Sequence, residues 1–182
     1  MLQPCRIWFA VLFFTAARWA AGESLVSPDK NLRATLDLAA DGSITYRVDF
    51  RGKPVILPSR LGFLTADKTD LCSGFAQRSA TAGEVGQKWR PPFGERAEII
   101  DAYTTLTVSY GHSSMPDLIL NVECRAYNGG FAFRYVLPKQ SRAQLEIAKE
   151  MTEFVFTGNH RAWPVYAAQG EYKPETLGAV KD

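Results

Sequence analysis

The sequence predicts an all-β fold, an antiparallel two-sheet sandwich, and three observations carry that prediction. Apolar residues recur at every second position in one short run after another, the spacing of a strand with one buried face. The runs are separated by Gly, Asn, Asp and Pro, the residues that turn a chain. Helical spacing is confined to Ser141–Lys149, where a short helix is expected.

The runs follow in order. Residues 1–22 read as an export signal, with Arg6 as the charged start, Ile7 to Ala17 as the apolar stretch and Ala20-Ala21-Gly22 as a small-residue cleavage site. The stretch is too short to span a bilayer, so no transmembrane anchor is expected. Leu32, Ala34, Leu36 and Leu38 then alternate with polar residues. After Ala40-Asp41-Gly42, Ile44, Tyr46, Val48 and Phe50 alternate again, which makes a hairpin. Arg51-Gly52-Lys53 turns the chain into Pro54–Leu57. Leu106, Val108 and Tyr110 form the next set, Leu118 to Cys124 another, and Phe131, Phe133, Tyr135 and Leu137 a third. Asn128-Gly129-Gly130 joins the last two through a turn that favours residues tolerant of positive φ. Met151–Phe156 reads as one more strand, with Glu153 facing water. The roughly 160 residues after the leader suffice for one core, which places a single domain at 23–182.

The whole sequence carries 21 basic and 19 acidic residues. Removing Arg6 and Arg18 with the leader leaves 21 − 2 = 19 of each sign, so the mature chain is formally neutral. No basic run survives, which argues against a nucleic-acid partner. Cys5 leaves with the leader. Cys124 lies on the buried side of its run and Cys72 in a turn-like Leu-Cys-Ser-Gly context; a disulfide between them is open but not required. His112 beside Gly111 and His160 after Gly158-Asn159 make no zinc spacing.

The stretch Trp89-Arg-Pro-Pro-Phe-Gly-Glu-Arg96 compresses an acid, arginines and aromatics between two prolines and a glycine. Proline removes an amide donor and glycine permits a sharp turn, so this is a loop and not a central strand. It is open to two readings. Trp89 and Phe93 plug the core while Glu95 pairs with an arginine, or Trp89, Glu95 and Arg96 are presented to a ligand.

Four pieces then appear in order: Arg125-Ala-Tyr-Asn-Gly-Gly-Phe-Ala-Phe-Arg-Tyr135, Met151-Thr-Glu-Phe-Val-Phe-Thr-Gly-Asn-His160, Ala162-Trp163-Pro164 and Gln169-Gly-Glu-Tyr172. With the Trp89–Arg96 loop before them, they resemble the N-terminal domain of glycoside hydrolase family 97, from about Ser27 to the end. The resemblance implies a supersandwich like that of the galactose mutarotases. It also implies an α-glucosidase or α-galactosidase whose catalytic carboxylates lie in a (β/α)8 barrel beyond this sequence, so no catalytic residue is expected here. It implies further that a calcium ion sits beside an α-linked oligosaccharide or glycoside, and that Glu171 supplies one ligand from the sandwich. A hard cation suits a carboxylate, yet without the family Glu171 is an ordinary acid beside Lys173. Trp163 reads either as a sugar-stacking face or as a plug beside Pro164. The location implied is periplasmic or secreted. A stand-alone carbohydrate-binding sandwich, using Trp89 and Trp163 without hydrolysis, and a purely structural envelope domain remain as rival readings.

Overall fold

The structure is a computed structural model and describes residues 22–139 and 145–180. The leader expected over 1–22 therefore lies outside the described residues except for Gly22. Four consecutive strands make the first sheet: β1 (Glu23–Val26), β2 (Leu32–Leu38), β3 (Ile44–Phe50) and β4 (Lys53–Leu61), each antiparallel to the next. Ala34 pairs with Val48 and Leu36 with Tyr46, so the alternation read in the sequence becomes one buried face.

Two turns in this sheet depend on glycine. Gly42 has φ +79°, and a Cβ there would lie 2.5 Å from the Phe75 amide nitrogen, because the turn packs directly onto Gly74-Phe75. Arg51 and Gly52 both have positive φ and close a two-residue hairpin between Phe50 and Lys53. The turn at Asn128-Gly129 forms where expected, but neither residue nor Gly130 takes positive φ.

After β4 the short strands β5 (Phe63–Thr65) and β6 (Asp70–Leu71) pair with each other. The second large sheet follows: β7 (Phe75–Trp89), β8 (Ile99–His112), β9 (Ile119–Tyr127) and β10 (Gly130–Val136), in the spatial order β10-β9-β8-β7. Leu106, Val108 and Tyr110 of β8 pair with Cys124, Val122 and Leu120 of β9, and all six are buried. These stack on Leu25, Ala34, Leu36 and Tyr46 of the first sheet to form the core. Aromatic rings close its open side. Tyr46 lies 5.1 Å from Phe133 and 6.1 Å from Phe131, centroid to centroid, and Phe63 meets Tyr135 edge-on at 4.6 Å.

The two sheets are laterally offset. β1 and β2 stack on the second sheet, whereas β7 is exposed from Ala76 to Glu84 and meets the first sheet only marginally, with Gln77 Nε2 donating to Glu23 at 2.8 Å. At the other side, Val55 and Ile56 of β4 look onto an open cleft that Phe131 and Phe133 of β10 also line.

Two expectations are corrected here. The helix expected over Ser141–Lys149 is absent where it can be judged: residues 141–144 lie outside the described residues, and Ile147–Glu150 is a strand, β11, paired with β5. The strand expected over Met151–Phe156 is a strap with no regular ladder. Its Met151 and Glu153 N–H groups donate to the Gly62 and Arg60 carbonyls, and Val155 accepts from the Leu57 N–H. Glu153 does not merely face water, since its carboxylate takes the Arg60 guanidinium at 2.6 Å and the Arg60 N–H at 3.1 Å. Arg60 holds the Glu153 carboxyl below its ordinary range.

Candidate functional site

The predicted residues sort into two exposed structures. The first is an arm. β8 pairs with β9 only from Thr104 onward, while its pairing with β7 continues through Val85–Tyr103 to Trp89–Ile99. The last part of this hairpin is therefore a two-stranded ribbon standing clear of the second sheet, tied by Gln87 to Asp101 at 3.0 Å and Lys88 to Glu98 at 3.3 Å. Its tip is the proline-rich loop, where Gly94 takes φ +133°. Trp89 is 48% and Phe93 87% exposed, so neither plugs the core. Glu95 and Arg96 are exposed and make no ion pair among the described residues. Of the two readings of this loop, the core plug is excluded.

The second structure is a loop of residues 163–174. The strands β12 (Arg161–Ala162) and β13 (Glu175–Thr176) pair at its base, with Ala162 opposite Glu175. The Leu177 N–H donates to the His160 carbonyl, and the Gly178 N–H to Asn159 Oδ1 at 2.8 Å, in the 3-10 turn Leu177–Ala179 that follows. A compact loop with tied ends presents side chains without a core of its own. Trp163, Tyr166 and Tyr172 are all exposed on it, and Tyr166 donates to Glu175 at 2.8 Å.

Glu171 follows the turn at Gln169-Gly170, in which the Gly170 N–H donates to the Ala167 carbonyl. Its side chain is 80% exposed and meets Lys173 at 3.1 Å. No group of three metal-ligating side chains occurs among the described residues. Glu171 thus fits a calcium ion as a single oxygen donor on an accessible loop, and further oxygens would have to come from elsewhere. The structure brings Trp163 and Glu171 onto one loop. It does not join them to Trp89, Glu95 and Arg96, since no hydrogen bond, ion pair or ring contact links loop and arm among the described residues.

Sequence reasoning missed Tyr166 and Tyr172, whose only signal was their place in an irregular, proline-bounded stretch. It also missed a cluster in which Arg125 lies 4.7 Å over the Tyr103 ring, the Tyr103 and Tyr127 rings lie 4.9 Å apart and tilted at 43°, and Arg134 meets Glu123 at 2.7 Å. Cross-strand pairing puts these side chains together, and alternation alone names only the buried face.

The profile of the family described as Glycosyl-hydrolase 97 N-terminal matches residues 25–181. The chain belongs to this family. It is 28% identical over 149 residues to a retaining alpha-galactosidase of Bacteroides thetaiotaomicron, covering 81% of this chain and 21% of that protein. Solved family 97 enzymes from a Pseudoalteromonas strain, captured with panose and with acarbose, superpose on 85% of this chain at TM-scores of 0.75 and 0.76 and 28% identity. This chain spans 24% of each of those chains. A beta-arabinopyranosidase shares the fold at a TM-score of 0.66 and 21% identity. The family 97 chain is nearly all β in several antiparallel sheets and not a closed barrel, as the sequence predicts. No helix among the described residues is long and apolar enough to cross a membrane.

Proposed function

We propose that residues 23–182 are the N-terminal sandwich portion of an exported, calcium-dependent α-glucosidase or α-galactosidase, and that residues 1–22 are its export signal. The observation that carries this reading is the family match across nearly all of the chain after the leader, together with relatives of which it spans 21–24%. Hydrolysis of a glycoside needs two carboxylates held at a fixed separation across the ring. In this reading both come from a (β/α)8 barrel, and the sandwich contributes a wall of the substrate cleft. The accessible 163–174 loop supports that role. Trp163 offers an indole face to the C–H side of a pyranose, and Glu171 turns one carboxylate away from its own domain. Bound calcium would supply a fixed positive charge beside the sugar. Glu171 lends it one oxygen, and Lys173 must then release that carboxylate. The arm carrying Trp89, Glu95 and Arg96 lines or braces the same cleft, with arginine's planar fork suited to hydroxyls or a carboxylate.

The test is Glu171→Gln in a full-length family 97 enzyme that carries this domain. Calorimetry should show weakened calcium binding, and activity should fall with it, because the amide keeps an oxygen but loses the charge. Unchanged calcium affinity would return Glu171 to a solvated acid. The exposed faces of Trp89, Trp163 and Tyr172 favour one other reading, a stand-alone carbohydrate-binding sandwich. Titration of the isolated chain with panose discriminates: saturable binding lost in Trp163→Ala supports the module, and no binding supports the enzyme portion.

A further inference from the structure

The loop of residues 163–174 has little buried surface to fix where it points. Trp163, Val165, Tyr166 and Tyr172 are all exposed, and the ladder at its base is two residue pairs long. Pairing that short is marginal in water, so the direction of the loop depends on what else ties its ends to the sandwich.

A small turn supplies that tie. Phe156 bridges to Ile56 of β4, which anchors the chain to the first sheet one residue before Thr157. The chain then reverses on itself, with the His160 N–H donating to the Gly158 carbonyl at 2.9 Å and the His160 Nε2 meeting the Thr157 hydroxyl at 2.9 Å. Asn159 is the central residue of this reversal. Its Oδ1 accepts the Gly178 N–H at 2.8 Å, and the adjacent His160 carbonyl accepts the Leu177 N–H at 2.9 Å. The two bonds differ in kind. Any residue offers a main-chain carbonyl at 160, whereas the oxygen at 159 belongs to a side chain and depends on its identity.

We propose that Asn159 is a positioning residue, whose side chain latches the Leu177–Ala179 turn and so aims the loop, holding Trp163 and Glu171 in one orientation before any ligand arrives. Asn159 touches neither sugar nor cation. The inference deepens the calcium reading of Glu171 and rests on it. A carboxylate on an unlatched loop reaches the cation only in the fraction of molecules whose loop points the right way, and apparent affinity falls by that fraction. Holding the loop in advance removes that cost.

The test uses a full-length family 97 enzyme that carries this domain, with Asn159→Ala, Asn159→Asp, Glu171→Ala and the double variant Asn159→Ala/Glu171→Ala. Alanine removes the acceptor, and aspartate keeps one. In Asn159→Ala the peptide covering 175–180 should exchange its amides roughly fivefold faster, the worth of one net hydrogen bond. The melting temperature should hardly move, because the latch lies outside the core. Calcium affinity by calorimetry should fall by up to about the same factor, and Asn159→Asp should restore both quantities. Once Glu171→Ala has removed the carboxylate, Asn159→Ala should weaken calcium no further. Unchanged exchange in Asn159→Ala overturns the proposal. So does a calcium loss that Asn159→Asp fails to restore, or one that persists undiminished beside Glu171→Ala. If Glu171→Ala weakens calcium and Asn159→Ala does not, the latch alone fails. If Glu171→Ala leaves calcium binding intact, the calcium reading of Glu171 fails and takes this inference with it.

Discussion

Replacing Tyr135 with Phe removes one oxygen from the junction of three elements. Thr152 Oγ1 donates its single proton to Glu150 at 2.7 Å, so at the 2.7 Å contact between the two hydroxyls Tyr135 must be the donor. The Tyr135 oxygen then accepts the Gly62 N–H at 3.2 Å. Phe keeps the edge-on ring contact with Phe63 but leaves the buried Gly62 N–H without an acceptor. An orphaned buried donor costs about 1–3 kcal/mol. Taking about 2 kcal/mol, and about 2–4 °C per kcal/mol for a chain of this size, the melting temperature should fall by roughly 4–8 °C. Burial, above all, pushes the Tyr135 hydroxyl up from 10.0 to about 12. A group whose pKa is raised by folding stabilises fully below its unfolded value and loses that contribution as pH climbs through the folded one. Stability should therefore decline between about pH 10 and pH 12, and less steeply in the variant. Some decline persists, because burial also pushes Tyr46 up to about 12. Thermal melts followed by circular dichroism across this range give both quantities. A variant that melts within about 1 °C of the parent at neutral pH would refute the orphaned-donor reasoning.

At the acid end, the Glu153 carboxyl is held below its usual 4.5 by Arg60, so its contribution is present above that value and is lost as pH falls. Arg60→Ala should flatten the acid limb of the melting profile while changing the melting temperature little at pH 7, because the pair is solvent-exposed. Mass spectrometry of the chain recovered from an envelope fraction should find Glu23 at the N-terminus; an intact Met1 form would count against export. Pure chain should turn over neither aryl α-glucosides nor aryl α-galactosides, and turnover abolished by a point mutation within it would contradict a barrel-borne active site.

The legible parts of the fold are those where one sheet lies over another. β2, β3, β8, β9 and β10 announce themselves because each has a covered face and must alternate. β7 has almost none, so Ala76 to Gly86 reads as small and polar residues, and only pairing with β8 makes it the longest strand. β11 reads as helix in the sequence because Ile147–Glu150 has no covered face either, and Ile147 is exposed. The candidate site was legible as residue types but not as geometry. Trp163 and Glu171 share a loop because the Leu177 N–H bond to the His160 carbonyl and the Gly178 N–H bond to the Asn159 side chain close it, and local spacing does not encode such closure.

The two thiols have a consequence for how this chain meets oxidants. Cys72 and Cys124 are both free; burial lifts the first to about 11 and the second to about 12. At pH 7 a thiol with a pKa near 11 is ionised in roughly one molecule in ten thousand, and only the thiolate attacks a disulfide or an oxidant. The native fold is thus nearly inert to thiol exchange without any cross-link to protect it. An oxidant meets the half-buried Cys72 first and without unfolding, whereas Cys124 is reached only when the aromatic core opens, so oxidation of Cys124 and the unfolding rate should rise and fall together.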